Sequence, residues 1–317
     1  MLREIVRTIE AKQSFLITSH VRLDGDAIGS EVALYRLLTR LGKRVAIFNE
    51  DEIPENFLFL MDNVEIYHNI PQISDYNVLF VIDCSDLERV GKNASALKKI
   101  ETIINIDHHL SNGRFATVSY LDPEASSTGE LIFRLIKEMG IPLRKEEAEG
   151  LYTAILTDTG GFRYRNTSKD TLLVAAALVD SGADPQWLSE NIYENNAVVK
   201  VLLHAKALET LNLALDGKVA YVTVSKDTME ALGAKTQHID GLVDIVRTIK
   251  GVQVAVLFLE LDRNFYKLSF RSKGGVDVEK VARELGGGGH LNAAACEVKG
   301  EIAWIRDRVF SSLKEIL

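Results

Sequence analysis

Cysteine is almost missing from this chain: Cys84 and Cys296 are the only two in 317 residues, and they lie far apart. They cannot form a disulfide framework, so a reducing cytoplasm is the expected compartment. Each reads as a small buried hydrophobe. Proline is nearly as scarce, with five residues, and no segment has the composition of a disordered tail. No apolar run approaches the ~20 residues needed to cross a bilayer, so no membrane partner is expected. The longest such run, 252–261, contains Gln253 and Glu260 and reads as a buried strand. The opening Met1 to Glu10 mixes charges with apolar residues at helical spacing, unlike a signal peptide. A basic excess is lacking too. Lys and Arg number 37 against 45 Asp and Glu, a net charge of −8, whereas grip on long nucleic acid through many phosphates calls for positive charge. No long duplex is expected as a partner. An anionic substrate must be short, or be received by metal ions and a few local cations.

What is present is a globular profile, 46% hydrophobic and 26% charged, long enough for two domains. The first half alternates β-rich runs with helical patterns. Strands are expected at 14–19, 43–48, 77–83 and 102–106, with a helix from Asp26 to Leu41 that ends at Gly42. Near-continuous apolar strands separated by helices imply an α/β domain, a parallel sheet with helices on both faces. Ser127-Thr-Gly-Glu130 has capping-box spacing and opens a helix to Met139. After a break at Gly182–Pro185, a helix is expected over 197–213. The last ~100 residues alternate strands and helices as a smaller α+β domain. The expected division is 1–185 for the first domain, 186–214 for a helical connector and 215–317 for the second.

Histidine and aspartate gather at strand ends. His20-Val-Arg-Leu-Asp24-Gly-Asp26 follows the first strand, Asp83 closes the third, Asp107-His108-His109 follows the fourth, and Asp158 closes a helical segment. Ligands of an open parallel sheet bind outside the carboxyl ends of its strands. Taken singly, an aspartate there is usually a turn or helix cap, as Asp86 is, and His20 would pass for a loop histidine. Four such segments at successive strand ends are hard to assign to chance. Crowded carboxylates repel and resist ionisation, and divalent cations resolve this. Mixed carboxylate and imidazole donors suit Mn²⁺ first, with Mg²⁺, Co²⁺ or Fe²⁺ as alternatives. Two such ions would form the usual clamp for hydrolysis at phosphorus. His68, His204 and His238 fit no such pattern and read as surface or packing residues.

Gly286-Gly-Gly-Gly-His290 follows a helix. One glycine would suit a helix C-cap; four let the backbone approach a ligand, with N–H groups turned to a phosphate. Arg271, just upstream, has the fork that pairs with phosphate. Phe162-Arg-Tyr-Arg-Asn166 reads either as a short strand or as a source of a further phosphate ligand, Arg163.

These motifs resemble the DHH phosphoesterase family: His20-x3-Asp24-x-Asp26, Val81-Ile-Asp83, Asp107-His108-His109 and Leu156-Thr-Asp158. The C-terminal part resembles the companion DHHA1 domain through Gly286-Gly-Gly-Gly-His290 and Arg271-Ser272. Two domains with little else resemble the stand-alone nanoRNase type. The resemblance implies that His20, Asp24 and Asp83 hold one ion, and that Asp26, Asp83, His108 and Asp158 hold the other. His109 would act at the scissile phosphate, with Asp107 fixing an imidazole. Arg271, Ser272, Gly287, Gly288, Gly289 and His290 would hold the substrate's end. Leu291 and Ala295 depart from the family pattern, which more often has Lys and Gly there.

The expected partners are short single-stranded oligonucleotides or nucleotides, and a homodimer is compatible with the sequence. The expected activity is hydrolysis to nucleoside 5′-monophosphates, with removal of the 3′-phosphate from 3′-phosphoadenosine 5′-phosphate beside it. Rivals are a phosphodiesterase of cyclic dinucleotides or their linear products, a RecJ-type exonuclease, a family II pyrophosphatase and a nucleotide sensor without turnover.

Overall fold

Successive strand residues in the first half are buried on alternate sides, and this builds two apolar cores on one sheet. Phe15, Ile17, Phe80, Ile82, Ile104 and Ile106 pack on one side, and Leu16, Ala46, Leu79, Val81 and Ile103 on the other. The computed structural model describes residues 1–317, the side chain of His290 excepted. The chain divides into two compact units, 1–195 and 196–317.

In the first unit, α1 (Leu2–Ala11), β1 (Ser14–Thr18), α2 (Gly25–Arg40), β2 (Arg44–Phe48), β3 (Ile66–Tyr67) and β4 (Val78–Ile82) lead to α3 (Ala94–Leu97). Then come β5 (Thr102–Asp107), β6 (Val118–Leu121), α4 (Thr128–Glu138), α5 (Lys145–Asp158), α6 (Lys169–Asp180) and α7 (Pro185–Ser189). The six strands lie in the order β3-β2-β1-β4-β5-β6, and every pairing is parallel. The helices cover the faces unequally. Residues of α1, α2, α4, α5 and α6 fill the first core, whereas α3 and single-turn 3₁₀ segments cover the second. Ser127 caps α4 by accepting from the Glu130 amide at 3.2 Å. The Glu130 carboxylate turns instead to Ser126 and Thr171, so the cap is not reciprocal.

In the second unit, α8 (Val198–Leu208), β7 (Asn212–Ala214), β8 (Val219–Val224), α9 (Lys226–Leu232), α10 (Leu242–Arg247), β9 (Val254–Asp262) and β10 (Phe265–Ser272) come first. They are followed by α11 (Val278–Glu284), β11 (Gly288–His290), β12 (Ala293–Lys299) and α12 (Ile302–Ile316). The sheet order is β11-β12-β10-β9-β8-β7, with β8 and β9 parallel and the other pairs antiparallel. Residues of α11 and α12 pack on one face, and those of α8 and α10 on the other, over β8 and β9.

The stretch read as a connector is shared. α7 falls in the first unit, α8 and β7 in the second. The helix expected over 197–213 stops at Leu208. Thr210 donates its hydroxyl to the Ala207 carbonyl at 2.7 Å and accepts the Thr223 amide at 2.8 Å. A side chain that engages the backbone in this way competes with the helix. Among the described residues, no helix is long and apolar enough to cross a membrane.

Candidate metal centre

Small residues bring the site's helices together. A Cβ on Gly29 of α2 would lie 2.3 Å from the Gly150 carbonyl of α5, and one on Gly129 of α4 would lie 2.4 Å from Ala154 Cβ. The helix backbones therefore touch at their crossing. This gathers the start of α2, the start of α4 and the end of α5 beside the carboxyl ends of β1, β4 and β5. Asp83 leaves β4 with φ 52°, a left-handed conformation that Asp tolerates and that recurs at functional positions.

The donors converge there. His20 Nε2 lies 3.8 Å from Asp24 Oδ2 and 3.4 Å from Asp83 Oδ2. His108 Nε2 lies 3.6 Å from Asp26 Oδ2, 3.6 Å from Asp83 Oδ1 and 3.7 Å from Asp158 Oδ2. His109 Nδ1 is 3.5 Å from Asp83 Oδ1. These separations are too long for good hydrogen bonds. They suit donors about 2.1 Å from a shared centre at angles of roughly 110–130°. Three groups of donors result: His20, Asp24 and Asp83; Asp26, His108 and Asp158; Asp83, His108 and His109. The two oxygens of Asp83 face different groups.

Hydrogen bonds aim these side chains. The Nδ1 atoms of His20 and His108 lie 2.9 Å and 3.3 Å from the carbonyls of Val21 and Ala125, which leaves Nε2 toward the carboxylates. His109 Nδ1 bonds Asp107 Oδ1 at 2.7 Å, and Asn112 donates to Asp107 Oδ2 at 2.6 Å. The α4 amides of Thr128 and Gly129 donate to the two oxygens of Asp26 at 2.7 Å and 3.0 Å. The Thr128 hydroxyl reaches Asp83 Oδ1 at 3.1 Å. Asn166 donates to Asp158 Oδ2 at 3.3 Å and to the Ser126 carbonyl at 2.9 Å. The sequence reading missed Thr128, Asn166 and Asn112 as supports. The cap signature at Ser127 was the one available hint.

The charges need cations. Burial, then Asp83, push the Asp26 carboxyl well up. Burial also raises Asp158, to about 7, against the pull of His108. Burial would raise Asp83 as well, but the neighbouring His20 imidazole and the charges of His109 and His108 hold it far below the usual carboxylate range. Burial lowers His20, yet Asp83 and Asp24 lift it to about 9. One carboxylate stays ionised on the strength of three imidazoles while its neighbours resist. Oxygen and nitrogen donors with this unmet demand for positive charge fit divalent cations.

A further buried acid, Glu31 of α2, lies behind the site. Asn49 donates to Glu31 Oε2 at 2.7 Å and accepts the Ser19 amide at 3.3 Å. Burial lifts the Glu31 carboxyl to about 8.

The predicted substrate residues lie in the second unit. Arg271 is half-exposed on β10, 3.8 Å from Asp244. Ser272 is buried, and its hydroxyl donates to the Val276 carbonyl at 2.6 Å, so it shapes the loop and is not presented to solvent. The side chain of His290 lies outside the described residues. The glycines have separate reasons. Gly286 has φ 81°. A Cβ on Gly287 would meet the Ala295 carbonyl at 2.1 Å, and one on Gly289 would meet that of Ala293 at 2.4 Å. Gly286 and Gly288 both have nothing within 4 Å of a Cβ, and of the two only Gly288 also lacks a positive φ. Phe162 to Asn166 is a turn, not a strand, with Phe162 at φ 61° and Arg163 bonded back to the Gly160 carbonyl.

Carboxylate and imidazole donors gathered at the carboxyl rim of a parallel sheet define a metal-dependent phosphoesterase. Residues 14–155 match the model of the DHH family, N-terminal domain, and residues 216–315 match the DHHA1 domain. The chain is 32% identical to a bifunctional oligoribonuclease and PAP phosphatase NrnA of Thermus thermophilus, over 100% of this chain and 94% of that relative. It is 30% identical to the Bacillus subtilis protein of the same description, over 100% and 98%. A solved exopolyphosphatase-related protein from Bacteroides fragilis superposes with TM-score 0.94 at 28% identity, over 99% of this chain and 95% of that one. The chain belongs to the DHH phosphoesterase family, with a C-terminal DHHA1 domain.

Proposed function

We propose that this enzyme hydrolyses short oligonucleotides to nucleoside 5′-monophosphates and also removes the 3′-phosphate of 3′-phosphoadenosine 5′-phosphate. The observation that carries the reading is the set of donor groups built around Asp83. It is supported by full-length similarity to two relatives described by those two activities. The cofactor is a pair of divalent ions, Mn²⁺ before Mg²⁺, Co²⁺ or Fe²⁺. His20, Asp24 and Asp83 hold one, and Asp26, Asp83, His108 and Asp158 the other. Bound there, such ions make water a nucleophile near neutral pH and offset charge on phosphoryl oxygens.

The protein's own residues do the positioning. Asp83 serves both groups through its separate oxygens. His109, oriented by Asp107, holds the scissile phosphate in line. Arg271 and the loop at Gly288 hold the substrate's end, which restricts release to mononucleotides. The net charge of −8 leaves little to gain from further phosphates, so short chains are preferred.

The test is turnover by the purified protein with Mn²⁺ on 2-mers, 5-mers, 24-mers, cyclic dinucleotides and 3′-phosphoadenosine 5′-phosphate. The expected result is faster release of 5′-monophosphates from 2- to 5-mers than from 24-mers. Asp83→Asn is expected to lose roughly 10³-fold in rate or more, together with bound metal. Equal rates on 24-mers, or turnover of cyclic dinucleotides alone, would overturn the reading.

A further inference from the structure

The second unit carries cations beyond Arg271. Along β10, Phe265, Lys267, Ser269 and Arg271 are half-exposed, while Tyr266, Leu268, Phe270 and Ser272 are buried behind them. Lys267 therefore shares a face with Arg271, four residues or about 13 Å along the strand. Between them Ser269 is in register with Ala295, and Ala295 with Gly288. From Ser269 toward β11 no side chain larger than serine stands on that row, while on the β9 side Ser269 is in register with the buried Leu257.

Lys200 of α8 acts on a carboxylate that these β10 cations also reach. The Asp240 carboxylate is within electrostatic reach of Lys200, Lys267 and Arg271 together. Arg271 has Asp244 beside it. Lys200 and Lys267, both half-buried, have no hydrogen-bonded or ion-paired partner among the described residues. Glu297, in register with Lys267, is exposed and makes no ion pair with it. Asp240 is a shared carboxylate neighbour that neither ammonium hydrogen-bonds, and half-burying an ammonium with its hydrogen bonds unmet is unfavourable, so these two can take a further anion.

We infer that Lys267, assisted by Lys200, contacts a second substrate phosphate and sets the preferred chain length. Arg271 takes one phosphate and Lys267 another further along. The gap of about 13 Å covers roughly four stacked nucleotides at about 3.4 Å each, and fewer in an extended strand. A dinucleotide cannot use both ends of this row, whereas a tetramer or pentamer can. The inference rests on the oligonucleotide reading above.

It is tested in the full-length protein with Mn²⁺, by measuring kcat and KM on 2- to 6-mers for wild type, Lys267→Ala, Lys267→Arg and the double variant Lys200→Ala/Lys267→Ala. The ratio of kcat/KM for the pentamer to that for the dimer is expected to fall about 5–10-fold in Lys267→Ala, since a charge-assisted contact is lost. It falls further in the double variant and recovers in Lys267→Arg, with the change carried by KM. The salt slope of log KM for the pentamer should lessen by about 0.7, one phosphate contact on a single strand. A ratio within twofold of wild type in both alanine variants would overturn the inference, and so would equal losses on dimer and pentamer. Wild-type protein inactive on every oligonucleotide would defeat the functional proposal itself; normal wild-type turnover with an unmoved ratio would defeat only this one.

Discussion

Replacing Gly29 by alanine sets two effects against each other. Alanine is the better helix former by about 1 kcal/mol, so a surface position would be stabilised. At Gly29, however, the new Cβ would sit 2.3 Å from the Gly150 carbonyl oxygen and 2.9 Å from the Ala154 amide nitrogen. Both are backbone atoms of α5, so no rotamer change relieves the clash. Reaching an ordinary C···O separation of about 3.3 Å requires α2 and α5 to part by roughly 1 Å. Overpacking of this kind costs ~1–3 kcal/mol, enough to outweigh the helix gain. The expected net loss of up to about 2 kcal/mol lowers Tm by up to roughly 8 °C in a unit of this size. The larger consequence is functional. Asp26 and Asp158 sit on these two helices, and a misplacement of about 1 Å can cost 10²-fold in rate. The assay pairs a thermal melt with kcat/KM on a dinucleotide in Mn²⁺, read well below Tm so that unfolding does not contribute. A raised Tm together with wild-type kcat/KM would refute the account of the crossing.

Two further perturbations probe the support of the site. Glu31 has a folded-state value of about 8 against an ordinary 4.5, so the folded chain keeps a proton that the unfolded chain releases. Stability is therefore lost as pH rises from about 4.5 to 8. Glu31→Gln cannot ionise, so in metal-free protein its Tm advantage should be near zero at pH 4.5 and grow to several degrees at pH 8; a pH-independent difference would refute this. Asn166→Ala removes the donor to Asp158, and should weaken Mn²⁺ binding by roughly 10–100-fold, as loss of a ligand's supporting hydrogen bond does. Calorimetric titration with Mn²⁺ measures it, and unchanged affinity would show that Asp158 holds its place without help.

The strands that carry the donors were legible because a buried parallel sheet writes itself as apolar runs. A polar residue at the end of such a run stands out, as Asp83 and Asp107 do. The edge strands β3 and β6 were not legible: β3 has two residues and β6 four, too few to show a period. Thr128 could be read only as part of a cap. That its amide and hydroxyl face Asp26 and Asp83 depends on where α4 lands, which is set by contacts distant in sequence. The structural share of the glycine loop was not legible for the same reason. Pairing with β12 demands Gly287 and Gly289, and a sequence cannot distinguish a glycine needed by a neighbouring strand from one kept clear for a ligand. Ser272 looked like a strand-end donor, but the alternation of β10 turns it inward.

Support for the site is distributed unevenly along α2 and α5. At the rim, Asp26 and Asp158 are carboxyls that resist ionisation, so this end is a source of instability until positive charge arrives. The two amides at the start of α4 offset part of the cost for Asp26, since a helix N-terminus favours negative charge. The opposite ends of the same helices are fastened without such a debt. Arg40 grips Glu147 through two hydrogen bonds of 2.8 Å and 2.9 Å, and Arg36 donates to the carbonyls of Glu146 and Leu60 at 2.9 Å and 3.0 Å. Between the two ends the glycine crossing allows no slack. Repulsion at the rim therefore cannot be relieved by sliding or splaying the helices. It is relieved by protons, which His20 already holds at neutral pH and Asp158 takes up near it, or by divalent cations in their place.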